Sequence, residues 1–234
     1  MIQAKLGILI IQEIAVRGKM KEHGLMFTGE MIQAFLEHRK SMTRRVQGLE
    51  KINENPDDWE LIGALCYGHI WYFRNIRNRS LSIEVKCPYA VGDFIYAKET
   101  WATLESYDNL KPTELPDKAP IWYKFDYPVD MGVHMVIGRW RSSMFMPKKV
   151  ARTWREIVGV RCERLQTISK EDIENEGEPF MSLPDKCLLN FGYTKPYEYT
   201  REHFAYFWDR LNGKKHPWAK NDWVWPLSLK EVKK

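Results

Sequence analysis

Lys40 and Thr43 stand three residues apart inside a basic run, Arg39-Lys40-Ser41-Met42-Thr43-Arg44-Arg45. A lysine among arginines feels like charges, which disfavour its protonated form. Held neutral, it can take a proton from a hydroxyl or a water, and Thr43 supplies a hydroxyl. On a uniform strand two residues at this spacing face opposite ways. They converge only if Lys40 sits at a helix end and Thr43 lies on a strand after a bend. Glu176 is the third candidate. It ends a short capped helix beside Gly177, at the negative end of the helix dipole, a placement that suits a general acid. Each has a plain alternative: Lys40 caps a helix, Thr43 prefers a strand, and Glu176 is a solvated glutamate. No Gly-rich phosphate loop and no Gly-x-Ser-x-Gly elbow occurs.

The elements that must position these residues follow from pattern. Thr28 is a plausible N-cap for a helix running to about His38, with Ile32, Phe35 and Leu36 inward. Ser41 to Val46 reads as a short strand or extended turn. Asp57 to Leu65 suggests a helix, Trp71 to Arg79 a basic-aromatic connector, and Glu50 to Ser80 as a whole an insertion. After Gly92-Asp93 comes a strand, Phe94 to Trp101, on which Glu99 and Trp101 share a face with Ile95 and Ala97. A carboxylate there needs a partner, as an Arg clamp or as a functional group. Tyr107 to Pro120 reads as a loop, Ile121 to Tyr127 as a strand, and Arg152 to Arg164 as a longer strand with its apolar face at the even positions. Ser169 and Asp172 form a capping box, Ile168 and Ile173 a hydrophobic staple, and Gly177 stops that helix. Phe204, Phe207, Trp208 and Leu211 keep helical spacing. Trp223 to Leu229 alternates as a strand, with Pro226 pointing to an edge or a bulge. Strands and helices do not alternate regularly, so the order predicts an α+β fold, a small partly open β-barrel decorated by helices, rather than a doubly wound sheet.

Bulk properties narrow the function classes. The 234 residues suffice for one sizeable domain, and 44% hydrophobic residues can build a core. The chain carries 10 Trp, 11 Tyr and 10 Phe, enough to leave rings for stacking on flat ligands. Net charge is +5, and the six cations Arg139, Arg141, Lys148, Lys149, Arg152 and Arg155 fall in one stretch without an acid. With Trp140, Phe145 and Trp154 interleaved, that stretch reads either as a nucleic-acid footprint, carried by Arg139, Arg141, Lys148, Lys149 and Arg152, or as a solvated basic loop. Cys66, Cys87, Cys162 and Cys187 lack redox or zinc spacing, so no metal and no cofactor is expected, and the thiols fit a reduced cytoplasmic setting. No apolar run is long enough for a membrane span. Leu6 to Ile11 is too short for a signal-peptide core and reads either as an added β-strand or as translated sequence upstream of a start at Met20 or Met26; residues 1–25 read as an N-terminal extension that need not belong to the functional protein.

The run Ile32 to Arg45 resembles the opening helix and basic motif of ASCH-domain proteins. Further matches keep their order: Gly92-Asp93, Lys98-Glu99-Thr100-Trp101, Met146-Pro147, Arg164 to Ser169, Glu176-Gly177 and Asn221 to Trp225. The pattern is closest to phage and prophage members, which would place the protein in host cytoplasm. His38 stands where these proteins usually carry Gly. The resemblance implies a single domain over residues 26–234 with a PUA-like barrel and an insertion around 50–80. It also implies a nucleoside or RNA partner. One hydrolytic branch removes the acyl group from N4-acetylcytidine with Lys, Thr and Glu, which fall here on Lys40, Thr43 and Glu176. Arg44, Arg45, Glu99 and Trp101 would then contact substrate. The alternatives are a non-catalytic PUA-like RNA-binding module and a phage assembly protein.

Overall fold

The computed structural model describes residues 20–65, 69–127, 137–177 and 201–232. The run Leu6 to Ile11, Cys66 and Cys187 lie outside them. The strands in chain order are β1 (Glu22–Met26), β2 (Met42–Arg45), β3 (Trp59–Leu65), β4 (Ile70–Asn75), β5 (Ser82–Lys86) and β6 (Phe94–Lys98). They continue as β7 (Trp101–Ala102), β8 (Trp122–Tyr123), β9 (Trp154–Val160), β10 (Glu163–Arg164) and β11 (Trp223–Glu231). The helices are α1 (Gly29–Leu36), α2 (Glu50–Asn53), α3 (Lys170–Asn175) and α4 (Arg201–Asn212). The architecture is mixed α+β, and the pairings of the described strands do not close a barrel. Among the described residues no helix is long and apolar enough to cross a membrane.

Two compact units share the chain. The first gathers described residues of Met1–Gly29, Val91–Ile157 and Lys230–Lys234. In it β1 runs parallel to β6, and β6 is antiparallel to β9, with Phe94 opposite Glu156 and Tyr96 opposite Trp154. Alternation on β6 is the expected one: Ile95 and Ala97 are buried, and Phe94, Tyr96 and Lys98 half-buried. Trp101 packs with Leu115 and Met146 at the centre of this unit's apolar cluster.

The second unit comprises described residues of Glu30–Ala90 and Val158–Leu229. Its axis is β11, which pairs antiparallel with β2 and with β10. Ile32 and Phe35 of α1, Leu49, Ile52 of α2, Ile168, Ile173 of α3, Phe204 of α4 and Trp225 are all buried. Phe73 meets Trp223 edge-on at 5.0 Å, and Trp71 lies 5.5 Å from Trp225. Such aromatic pairs add to the area they bury.

Several expectations are corrected. Asp57 to Leu65 is not a helix but a short 3-10 turn followed by β3. Trp71 to Arg79 is mostly β4, the middle strand of β3-β4-β5, because Trp71 and Phe73 alternate inward onto β11 aromatics. Within Ile121 to Tyr127 only Trp122–Tyr123 is strand, and a 3-10 turn takes Lys124–Asp126. On β9 the even-position apolar face fails: Val158 is exposed while Arg155 and Ile157 are buried. The basic residue hid the inward register. Pro226 is not on an edge strand, since β11 has β2 and β10 as neighbours. The interruption falls on the partner instead, between β9 and β10, where the Arg161 amide donates to the Pro226 carbonyl.

A candidate active site at the junction of β2 and α3

The chain turns sharply between α1 and β2. His38 adopts φ 59°, the left-handed region that glycine enters freely and other residues enter at a cost. Lys40 therefore belongs neither to the helix nor to the strand; the turn falls at Glu37-His38, ahead of Lys40, and Thr43 lies within β2. Ser41 ties the start of β2 to the end of α3: its amide donates to the Asn175 carbonyl at 2.8 Å and its hydroxyl to Asn175 Oδ1 at 2.9 Å. The Ser169 side chain accepts from the Asp172 amide at 3.1 Å, capping α3 as its sequence predicts. Ile168 and Ile173 are both buried, in the staple positions. Gly177 follows at φ +67°, and a Cβ there would lie 2.5 Å from Lys40 Cβ. Only glycine lets the two segments approach so closely.

This junction encloses a charged cluster. Lys40 Nζ donates to Glu176 Oε2 at 2.8 Å and to the Glu176 carbonyl at 2.7 Å. Arg44 donates to Glu176 Oε1 at 3.1 Å, to Glu163 Oε1 at 2.8 Å and to Asp172 Oδ2 at 2.7 Å. Arg161 reaches the same Asp172 oxygen at 2.6 Å. Lys40, Thr43, Arg44, Asp172 and Glu176 are all buried. Charges removed from water this far persist only when paired.

The electrostatics follow. Burial pushes the Lys40 ammonium below the ordinary lysine range; Glu176 opposes this, and the charges of Arg45 and Arg44 reinforce it. Burial also works against the Arg44 charge, but Glu176, Glu163 and Asp172 together hold it firmly protonated. Arg45 is pushed down by burial, against the charges of Tyr89 and Glu176. Burial raises the Tyr89 phenol, with Arg45 opposing. Met42 and Arg44 share one face of β2, and their side chains touch at 3.5 Å. Thr43 takes the other face together with Arg45, whose charge reaches both Lys40 and Glu176.

The remaining candidates lie in the first unit. Glu99 is buried and gripped by Arg152, Nε to Oε1 and Nη2 to Oε2, both at 2.8 Å. The clamp is realised. Burial raises the Glu99 carboxyl, and Arg152 counters. Trp101 is fully buried, with its ring under the Arg141 guanidinium at 5.2 Å, so it presents no face for a ligand to stack on. The basic run is largely engaged internally. Arg139 donates to Asp108, and Arg141 to the Tyr107 and Leu110 carbonyls. Lys148 pairs with Glu22, Lys149 with the Leu115 carbonyl and Asp117, and Arg152 with Glu99 and Asp126.

Sequence reasoning did not see that Glu163, Asp172 and Arg161 join Lys40, Arg44 and Glu176. Asp172 reads as a helix cap and Glu163 as the outer face of a strand. An acid one helical turn before Glu176 was the available signal. Among the described residues no group of three His, Cys, Asp or Glu could hold a metal ion. Compared with models of known families, with curated proteins and with solved structures, the chain finds no match.

Proposed function

We propose that the junction of β2 and α3 is the active site of an amidohydrolase acting on N4-acylated cytidine, as a nucleoside or within RNA, on a PUA-like (ASCH) framework to which β2, β10 and β11 belong. The observation that carries this reading is the buried Lys40–Glu176 contact at 2.8 Å. It joins the two ionisable groups that the ASCH resemblance names as catalytic.

The chemistry follows from the groups. Burial favours neutral Lys40, which can accept the proton of the Thr43 hydroxyl or of a water as that oxygen attacks the acyl carbon. The proton must then reach the departing N4 amine, and Glu176, bonded to Lys40, supplies the route; where Thr43 is the nucleophile, water then hydrolyses the acyl-Thr43 ester, releasing the carboxylic acid and restoring the hydroxyl. The tetrahedral oxyanion needs a fixed donor; Arg45, on the face of β2 that carries Thr43, has the charge for it. Arg44 holds the Glu176 carboxylate in place and keeps Asp172 and Glu163 neutralised.

The test is purified protein with N4-acetylcytidine, followed by chromatography for cytidine. Wild type is expected to release cytidine and Lys40→Ala to release none. No cytidine from wild type, at high enzyme and long times, would sink this substrate. The RNA-binding alternative predicts affinity that falls steeply with salt. The internal pairing of Lys148, Lys149 and Arg152 leaves that reading with less charge to spend on phosphates.

A further inference from the structure

Glu163 touches none of the groups that would move a proton at Lys40, yet it is wired to them. Its Oε1 accepts from Arg44 Nη2 at 2.8 Å. Arg44 Nη1 donates to Glu176 Oε1 at 3.1 Å, and Glu176 Oε2 accepts from Lys40 Nζ at 2.8 Å. An unbroken line of contacts thus runs from Glu163 through Arg44 and Glu176 to Lys40. Its outer end is flanked by Arg161, which bonds Asp172 at 2.6 Å and faces Glu163 at 3.8 Å. Lys40 and Arg44 are sealed from water, whereas Glu163 keeps 21% of its side chain exposed and Arg161 49%.

The charges of the cluster balance in one state only. Arg44, Arg45 and Arg161 carry positive charges that arginine does not give up. Glu163, Asp172 and Glu176 supply as many negative ones. Lys40 is the one cation of the seven groups that can become neutral, and with it neutral their charges cancel. A protonated Lys40 leaves an excess charge in a place where burial already disfavours it. Loss of the Glu163 charge leaves Arg44 with two carboxylates in place of three and turns the balance further against the ammonium. Loss of the Arg161 charge frees Asp172 and turns it the other way. Buried charges act on one another with little screening, so both changes reach Lys40.

We propose that Glu163 is a positioning residue of this site: through Arg44 and Glu176 it sets how readily Lys40 gives up its proton, with Arg161 as its counterweight. The consequence for catalysis rests on Lys40 being the base proposed above; the effect on the Lys40 proton does not.

The NMR shift of the Lys40 Cε carbon, in lysine-labelled full chain and assigned from the spectrum of Lys40→Arg, reads that proton without substrate. Glu163→Gln is expected to move the titration midpoint to lower pH than wild type, Arg161→Met to higher pH, and Glu163→Asp, which keeps the charge, to stay near wild type. A loosened fold would admit water and raise every midpoint, so the downward shift is the decisive one. The rate with N4-acetylcytidine should follow, with Glu163→Gln about threefold faster than wild type on the rising limb of the pH profile. Circular dichroism checks each fold; should Glu163→Gln not fold, an unchanged or lowered midpoint in Arg161→Met overturns the proposal. A midpoint unchanged or raised in folded Glu163→Gln overturns it as well. The expected shifts in a protein that releases no cytidine would uphold the role of Glu163 and remove the hydrolase reading.

Discussion

Lys40 Nζ lies 2.8 Å from Glu176 Oε2 across 136 residues of sequence, and both side chains are withdrawn from water. The pair thus joins two segments that are remote in the chain, beside the Ser41–Asn175 and Arg44–Glu176 contacts. Removing Lys40 leaves the buried Glu176 with Arg44 alone to offset its charge. Lys40→Met is therefore expected to lower the unfolding free energy by about 3–5 kcal/mol, and the double variant Lys40→Met/Glu176→Leu to recover most of that loss. Urea denaturation measures both. A single variant within about 0.5 kcal/mol of wild type would show the pair to be energetically idle.

Lysine titration gives a signed pH dependence. Burial places the folded Lys40 below its ordinary value of 10.5. Between the lowered folded value and 10.5 the unfolded chain binds more protons, so the wild type gains stability as pH rises through that window. The gain should be absent in Lys40→Met. The rate of amide hydrolysis should rise as pH passes through the lowered folded value, where Lys40 loses its proton, and level off above it. A pH series up to about pH 10.5 follows both quantities; a wild-type rate that falls with pH would contradict a lysine base.

Arg44 neutralises three acids, whereas Arg161 reaches two of them, Asp172 at 2.6 Å and Glu163 at 3.8 Å, from a half-exposed position. Arg44→Met should cost several kcal/mol by leaving buried carboxylates unpaired, and Arg161→Met about 1 kcal/mol or less. Comparing the two urea midpoints separates a buried clamp from a surface contact. Equal midpoints would mean that Arg44 is replaceable.

Ser169 acts at a distance from the chemistry. Ser169→Ala removes the cap bond to the Asp172 amide and should cost about 1 kcal/mol. Because α3 carries Asp172 and leads into Glu176, the turnover number should fall while its pH profile keeps its shape. A shifted profile would point to a direct role for Ser169 in proton transfer.

The sequence made local features legible and hid the pairing between them. The capped α3 and the glycine stop at Gly177 are each set by a few neighbouring residues, and each is found in the structure, whereas the turn after α1 falls at Glu37-His38, ahead of Lys40. His38 takes the left-handed region that glycine enters freely, a local strain its side chain does not announce. By contrast, Asp57 to Leu65 read as a helix because its strand alternation is short and ends in a run of exposed residues. On β9 a buried arginine broke the apolar pattern. Which acids meet Arg44 depends on β10 and α3 folding back beside β2, a long-range event that no local spacing encodes.

The most direct measurement is single-turnover release of cytidine from N4-acetylcytidine by wild type and by Lys40→Arg, each shown to be folded by circular dichroism. Arginine keeps a positive partner for Glu176 but cannot become neutral at working pH. The account expects wild type to form cytidine and Lys40→Arg to lose at least about a hundredfold in rate. Cytidine release by Lys40→Arg at the wild-type rate, or none from either protein, would contradict it.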